Sequence, residues 1–234
     1  MSETPPPCDI NKTSIISELI KTPRESRDEK WLESFYENVK TASFACGNPQ
    51  TNHGPDGFPY FELHSPQPGT PFDSFCISNL TDYILQNGLG VVINPSENGA
   101  DWVFSHGDIL NLALNGEFFS PITNPPLAES EVLSASEEVM IAQPSESYLP
   151  LQTRSILKSF LTYLGVAEPK MMMIIRKRED SVTQELAFNV FPEDSSNNEE
   201  FNFKLQQICW FLPRHYIVVG FSKHTDIAAN LAAI

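Results

Sequence analysis

The segment Leu89-Gly-Val-Val-Ile-Asn-Pro-Ser96 predicts a short buried strand that ends at an Asn-Pro turn. Trp102-Val-Phe104 predicts a second short strand close behind it. Ser105 is a typical helix N-cap, and the helix that it begins ends near Asn115-Gly116. Two short strands followed by a capped helix indicate that this part of the chain packs a sheet against helices.

Upstream of this segment the hydrophobic spacing predicts three helices and one strand, at residues 12–21, 27–41, 78–87 and 58–64. Ser26 and Glu29 have the spacing of a capping box at the start of the second helix. Phe44–Cys46 fits a short strand. Residues 46–57 contain three glycines and two prolines, so they predict a loop dominated by turns.

The downstream half predicts the order α-β-β-α-β-α. A helix follows Pro150, and Met171–Ile175 and Val182–Phe191 predict a hairpin. The pattern ends with a helix capped by Ser196 or Asn197, then a strand, and then a short helix after Thr225.

We therefore predict an α+β fold of two small domains, each with a short mixed sheet packed against helices. Residues 1–26 form a tail and a short helix, and residues 27–120 form the first domain. Residues 121–147 are proline-containing and acidic and form a linker, with a strand at Val139–Ala142. Residues 148–234 form the second domain.

The charge of the chain is unevenly distributed. Its 234 residues include 15 basic and 30 acidic residues, a net charge of −15. Between Lys40 and Arg154 there are 13 acidic residues and no lysine or arginine. A phosphate-binding surface needs clustered basic side chains, so we expect neither nucleic acid nor an anionic membrane as a partner. The stretch is either an acidic face for a basic partner or a solvated surface.

The sequence also predicts the compartment of the protein and whether disulfides or zinc stabilise it. No run reaches the roughly 18 apolar residues of a membrane helix, and the N-terminal residues lack the apolar core of a secretory signal. The four cysteines form no CxxC pair, so we predict neither a disulfide framework nor a zinc site. The prediction is a cytoplasmic protein without membrane insertion.

Candidate chemistry is sparse, and no nucleophile, phosphate-loop or metalloprotease motif occurs. Cys46 and His53 are either a nucleophile and base or a loop thiol and a solvated imidazole. A loose group of metal-ligand types comprises His53, His64, His106, Asp56, Asp101 and Asp108. Its spacing fits no metal signature, and a turn explains His53–Gly57 better.

Two further patterns leave alternatives open. Asn94 either supplies polar groups to a ligand at a strand end or forms an Asx-type turn before Pro95. Arg176-Lys177-Arg178 is predicted as the basic turn of the hairpin. That turn docks on the acidic half of the chain, contacts an acidic surface of another molecule, or lies in water.

The segment 89–96, followed by Trp102-Val-Phe-Ser105 and the helix at Asp108-Ile-Leu, resembles the N-terminal domain of the SseB, or enhanced serine sensitivity, family. Gly57-Phe-Pro-Tyr-Phe61 lies where that family has a strand reading like Leu-Pro-Leu-Phe. Leu149-Pro150 and the elements after it resemble the C-terminal domain, so the likeness covers about residues 27–230. It implies a cytoplasmic bacterial protein of regulatory or accessory type, with no catalytic residues to carry over.

We therefore expect a non-enzymatic protein that acts through protein–protein contacts, with no cofactor or metal, and homo-oligomerisation stays open. The alternative is a small-ligand-binding or hydrolytic module that uses the loops at 46–57 and 94–101. The candidate ligand or interaction positions are Cys46, His53, Asp56, Asn94, Asp101, Trp102, Arg176, Lys177 and Arg178.

Overall fold

Residues 7–122, 138–178 and 181–234 are described by the computed structural model. Helices pack with two mixed sheets, one of four strands and one of five, which confirms the predicted α+β fold class. The chain divides into two units, residues 1–118 and 119–234, which are described separately below.

The first unit contains a four-stranded sheet of order β1-β2-β3-β4. Strands β2 and β3 are parallel, and the other two pairs are antiparallel. Its elements are α1 (Ile10–Leu19), α2 (Glu29–Val39), β1 (Ala45–His53), β2 (Pro59–His64), α3 (Ile77–Gln86), β3 (Gly90–Ile93), β4 (Trp102–Phe104) and α4 (His106–Asn115).

Helix caps explain where two of these helices begin. The Ser105 side chain accepts from the Asp108 amide, and the Asp108 carboxylate accepts from the Ser105 amide, so α4 has a complete capping box. The predicted capping box of Ser26 and Glu29 is wrong. Asp28 caps α2 instead, because its carboxylate accepts from the Trp31 amide at 2.8 Å.

The two faces of the first sheet differ in character. Buried residues that alternate along the strands form the inner face, which packs with aromatic and aliphatic side chains of the helices. These inner residues are Phe61, Leu63, Val91, Ile93 and Phe104. Glu62, Val92 and Val103 lie side by side across the register of three strands and point to the other face. This outer face holds the candidate site.

The predicted loop at 46–57 is mostly strand. Thr51, Asn52 and His53 pair with β2, and only residues 54–58 form the turn between the strands. The register shifts between Cys46 and Thr51, and that irregularity accommodates Pro49 within β1. Glycine and proline content therefore indicated a loop where the chain forms a bulged strand.

A disulfide joins Cys8 to Cys76, which corrects the prediction that the chain has none. The two Cα atoms are 5.5 Å apart, although 68 positions separate the residues in sequence. The bond links the segment before α1 to the N-cap residue of α3. Its partners approach only through the tertiary fold, so spacing along the chain gave no signal. Cys46 and Cys209 are free thiols.

The second unit contains a five-stranded sheet of order β5-β6-β7-β8, with β9 also paired to β6. Strands β7 and β8 are parallel, and the other pairs are antiparallel. The elements are β5 (Glu138–Ala142), α5 (Leu151–Tyr163), β6 (Lys170–Arg178), β7 (Ser181–Phe188), α6 (Asn198–Cys209), β8 (Ile217–Val219) and β9 (Ala232–Ala233). The predicted last helix is a 3₁₀ turn at Asp226–Asn230.

Two boundary predictions change in this unit. The strand predicted at Val139–Ala142 is β5, and its pairing with β6 makes these residues part of the second sheet rather than a linker. The second unit therefore starts before residue 148. Residues 123–137 of the predicted linker lie outside the described residues.

The basic triplet belongs to a strand and not to a turn. Arg176, Lys177 and Arg178 are the last residues of β6, and the predicted turn residues 179–180 lie outside the described part of the chain. Arg176 is buried, and its Nη2 lies 2.9 Å from a carboxylate oxygen of Glu185. The charge of Arg176 is therefore compensated within the second sheet, which argues against the predicted role of Arg176 in docking. The side chain of Lys177 is exposed.

Candidate functional site

A groove with a volume of about 540 Å³ crosses the outer face of the first sheet. All of its lining residues belong to the first unit. The β1–β2 turn lies at one end, beside the start of β2 and β3, because Tyr60 pairs with Gly90. The β3–β4 loop follows the opposite end of β3. The groove therefore brings residues 52–56 of one predicted loop together with residues 95–100 of the other.

The floor of the groove is apolar, and Tyr60 is its most constrained member. A Cβ atom at Gly54 or Gly90 would come within 2.7 Å of the Tyr60 ring, so both glycines are needed for the close approach. The Tyr60 hydroxyl donates to Asp56 at 2.5 Å. Val92 and Val103 continue the floor, and Val103 is 43% exposed.

The rim of the groove is polar. Asp56 accepts from the Phe58 amide at 3.1 Å, and Gly57 has φ +83°, so the predicted Asp-Gly turn is confirmed. Glu62 lies midway along the groove and accepts from the Asn52 amide group at 2.9 Å. Glu97 is exposed on the β3–β4 loop at the other end.

Arg24 crosses the margin of the groove from the segment between α1 and α2. Its guanidinium donates to the Ala100 carbonyl at 2.5 Å. Arg24 also lines a neighbouring depression of about 450 Å³, together with Arg27, Asp101 and Trp102. Arg27 stacks over the Trp31 ring at 4.4 Å and donates to backbone carbonyls, so its role there is structural.

Asn94 is a structural connector between strand ends. Its amide oxygen accepts from the Ser65 amide at 2.7 Å, and its amide nitrogen donates to Asp101 at 2.7 Å. Asn94 therefore bridges the end of β2 and the β3–β4 loop, an arrangement that differs from the local Asx-type turn, one of the two predicted alternatives. Its φ of +48° places its backbone in the left-handed region, which Asn tolerates better than most residues.

The predicted candidates do not share one site. His53 and Asp56 line the groove, while Asp101 and Trp102 line the neighbouring depression. The Trp102 ring also packs 4.7 Å from the Phe35 ring, within the aromatic core. Cys46 lines neither, and Arg176, Lys177 and Arg178 belong to the second unit.

The groove does not contain an activated nucleophile among its described lining residues. The Ser96 hydroxyl donates to the Gly99 carbonyl at 2.8 Å, so its hydrogen bond is not made to a base. Outside the groove, burial raises the pKa of the Cys46 thiol, which keeps it protonated. The Cys46 sulfur instead contacts the Gly47 carbonyl at 3.4 Å.

The His and Asp residues that were candidate metal ligands do not form a metal site in the described part of the chain. Among the residues that the structure describes, no three His, Cys, Asp or Glu side chains are placed to hold a metal ion. His106 is fully buried, with Nδ1 3.2 Å from the Leu89 carbonyl, and burial lowers its pKa to about 4. His64 lies 3.5 Å from Glu62.

Sequence reasoning missed the groove residues that lie outside the two named loops, which are Arg24, Tyr60, Glu62, Val92 and Val103. The alternation in β2 contained a usable signal. Phe61 and Leu63 are apolar, whereas Glu62 and His64 are polar, and side chains two positions apart share one face of a strand. That pattern indicates a sheet with one face left uncovered.

Comparison with known proteins adds no family to this description. No family model matches the chain, and a search of curated proteins found no match. Among the described residues, no helix has the length and apolar character needed to cross a membrane.

Proposed function

We propose that this chain is a non-enzymatic binding protein that acts through protein–protein contacts, and that the groove on the first sheet holds a segment of the partner. The observation that carries this proposal is an apolar floor, in which Val103 is exposed beside the buried Tyr60 and Val92, bordered by polar side chains. Apolar centres with polar rims are the usual anatomy of protein interfaces.

The shape of the groove supports an extended occupant. Strands β2 and β3 pair over four residues, from Tyr60↔Gly90 to Leu63↔Ile93. Four residues at about 3.3 Å each span roughly 13 Å, a length that four or five residues of extended peptide cover. The groove continues past both ends into the flanking turn and loop. We infer that backbone and side chains of one extended segment lie along it.

The hydrolytic alternative has weaker support. Ser96 lies in the groove, but its hydroxyl is bonded to the carbonyl of its own loop. Cys46 lies outside the groove with its pKa raised by burial. The resemblance to the SseB family also supports an accessory or regulatory role, since it implies no catalytic residues.

The proposal is tested by selecting displayed random peptides on the full chain and measuring their affinity for two matched variants. Val103 in β4 and Val182 in β7 are both exposed strand valines, and only Val103 lines the groove. Val103→Gln removes apolar contact area worth about 1 kcal/mol, so we expect roughly fivefold weaker binding or more. Val182→Gln should leave the affinity unchanged.

Two results would contradict the proposal. One is the enrichment of peptides that bind the Val103→Gln variant as tightly as the wild type. The other is equal loss of affinity in both variants, which would place the contact surface outside the groove or reflect a general effect on the fold.

A further inference from the structure

The charge around the groove is predominantly negative. Three carboxylates line it, with Asp56 at one end, Glu62 midway and Glu97 at the other end. Arg24 is the one lysine or arginine among the lining residues that the structure describes. It comes from outside the stretch between Lys40 and Arg154, in which the sequence has 13 acidic residues and no lysine or arginine.

The hydrogen bonds of these groups decide how much charge faces an occupant. The Arg24 guanidinium donates to the neutral Ala100 carbonyl at one margin, so its positive charge counts against the three carboxylates. Glu62 accepts from the neutral amide of Asn52, and Asp56 accepts from the Tyr60 hydroxyl and the Phe58 amide. These donors are neutral, so none of them places a positive charge beside the two carboxylates. His64 lies beside Glu62, and His53 is exposed on the rim, so both imidazoles add positive charge only when protonated.

We propose that the groove recognises an extended segment of a partner protein in which lysine or arginine side chains alternate with apolar side chains. This inference rests on the proposed function and adds the chemistry of the partner. In an extended segment, successive side chains point to opposite sides. Apolar side chains then pack on the exposed Val103 and the floor that Tyr60 and Val92 form beside it, while the long basic side chains reach from the segment to the carboxylates along the groove.

Charge also argues against two other occupants. A second copy of this chain would bring another net charge of −15 towards an acidic surface, so the two copies would repel each other. A nucleic acid would place its phosphates against the same carboxylates. A basic segment is attracted by both the rim and the whole chain.

The test uses three labelled peptides that alternate valine with lysine, glutamine or glutamate, with binding to the full chain measured by fluorescence anisotropy. Exposed charge pairs are individually weak, so we expect the lysine peptide to bind about three- to tenfold more tightly than the glutamine peptide. The glutamate peptide should bind most weakly. The advantage of lysine should shrink as salt screens the charges.

Matched charge variants identify the carboxylates responsible. Glu62→Gln combined with Glu97→Gln removes two negative charges from the groove, and should lower the affinity for the lysine peptide to near that for the glutamine peptide. Asp73→Asn combined with Asp82→Asn removes the same net charge from exposed positions outside the groove. This second pair should retain the preference for lysine.

The possible failures are distinguishable. If the lysine and glutamine peptides bind equally, and Val103→Gln weakens both, the groove is a docking site but the basic partner is excluded. If Val103→Gln leaves the binding of every peptide unchanged, the proposed function and this inference both fail. If both charge variants lose the preference for lysine equally, overall charge rather than the groove carries it, and the inference is overturned.

Discussion

His106 is the first residue of α4, and its imidazole is fully enclosed. Its Nδ1 lies 3.2 Å from the carbonyl of Leu89, which precedes β3, so the ring connects the start of the helix to the sheet. Burial penalises the charged imidazolium and lowers the pKa of His106 to about 4. In the sequence this histidine was a candidate metal ligand, and in the fold it is a neutral core residue.

This pKa predicts the pH dependence of stability. The unfolded chain binds a proton at His106 below about pH 6.5, whereas the folded chain does so only near pH 4. The contribution of neutral His106 is therefore complete above pH 6.5 and is lost as the pH falls towards 4. Between pH 6.5 and 5 the loss is about 2 kcal/mol, at about 1.4 kcal/mol per pH unit.

Chemical denaturation at pH 7 and pH 5 measures this loss. His106→Gln should flatten the pH dependence of the unfolding free energy by about 2 kcal/mol. His53→Gln, at an exposed position in the same unit, provides the control for the substitution itself. An equal pH dependence in wild type and His106→Gln would show that His106 is not the responsible group.

At the scale of elements, the Cys8–Cys76 disulfide fixes the segment before α1 against the start of α3. Disulfides persist in oxidising compartments and are reduced in most cytosols. The cytoplasmic location that the sequence and the SseB resemblance predicted stays a prediction, and in such a compartment the bond would be reduced.

The disulfide should stabilise the first unit. It closes a separation of 68 residues, for which typical stabilisation is about 2–4 kcal/mol. We expect dithiothreitol to lower the unfolding midpoint of the wild type to that of Cys8→Ala. Cys46→Ala, which removes a free thiol, should respond to the reductant as the wild type does. A wild-type midpoint that does not change on reduction would contradict the structure at this bond.

The elements were predictable where local patterns determine them. The apolar run at 89–93, the Ser105 cap and the helical spacing around Phe35 predicted β3, α4 and α2. The sequence failed where partners are distant. Strand β1 is defined by pairing with β2 despite its turn-forming residues, and Arg176 is buried because Glu185 lies on the adjacent strand. The local periodicity of the sequence shows neither the pairing of β1 with β2 nor the contact of Arg176 with Glu185.

At the scale of the whole molecule, sequence reasoning found parts of the site but not its form. The two loops named as an alternative ligand site do meet at one groove, through His53, Asp56 and residues 95–100. The floor between them was missed, because Tyr60, Val92 and Val103 become neighbours only when three strands align. The fold also brings part of the acidic stretch between Lys40 and Arg154 to this groove, since Asp56, Glu62 and Glu97 belong to that stretch.

The most direct test of the account is amide chemical-shift mapping of the full chain with a peptide enriched by selection. If the groove on the first sheet is the contact surface, the largest shift changes should fall on residues 52–62, 92–100 and Val103. They should be smaller when the same peptide is added to the Val103→Gln variant at the same subsaturating concentration, because that variant binds the peptide about fivefold more weakly. Shift changes concentrated in residues 138–178 or 181–234, with the groove unaffected, would contradict the central claim.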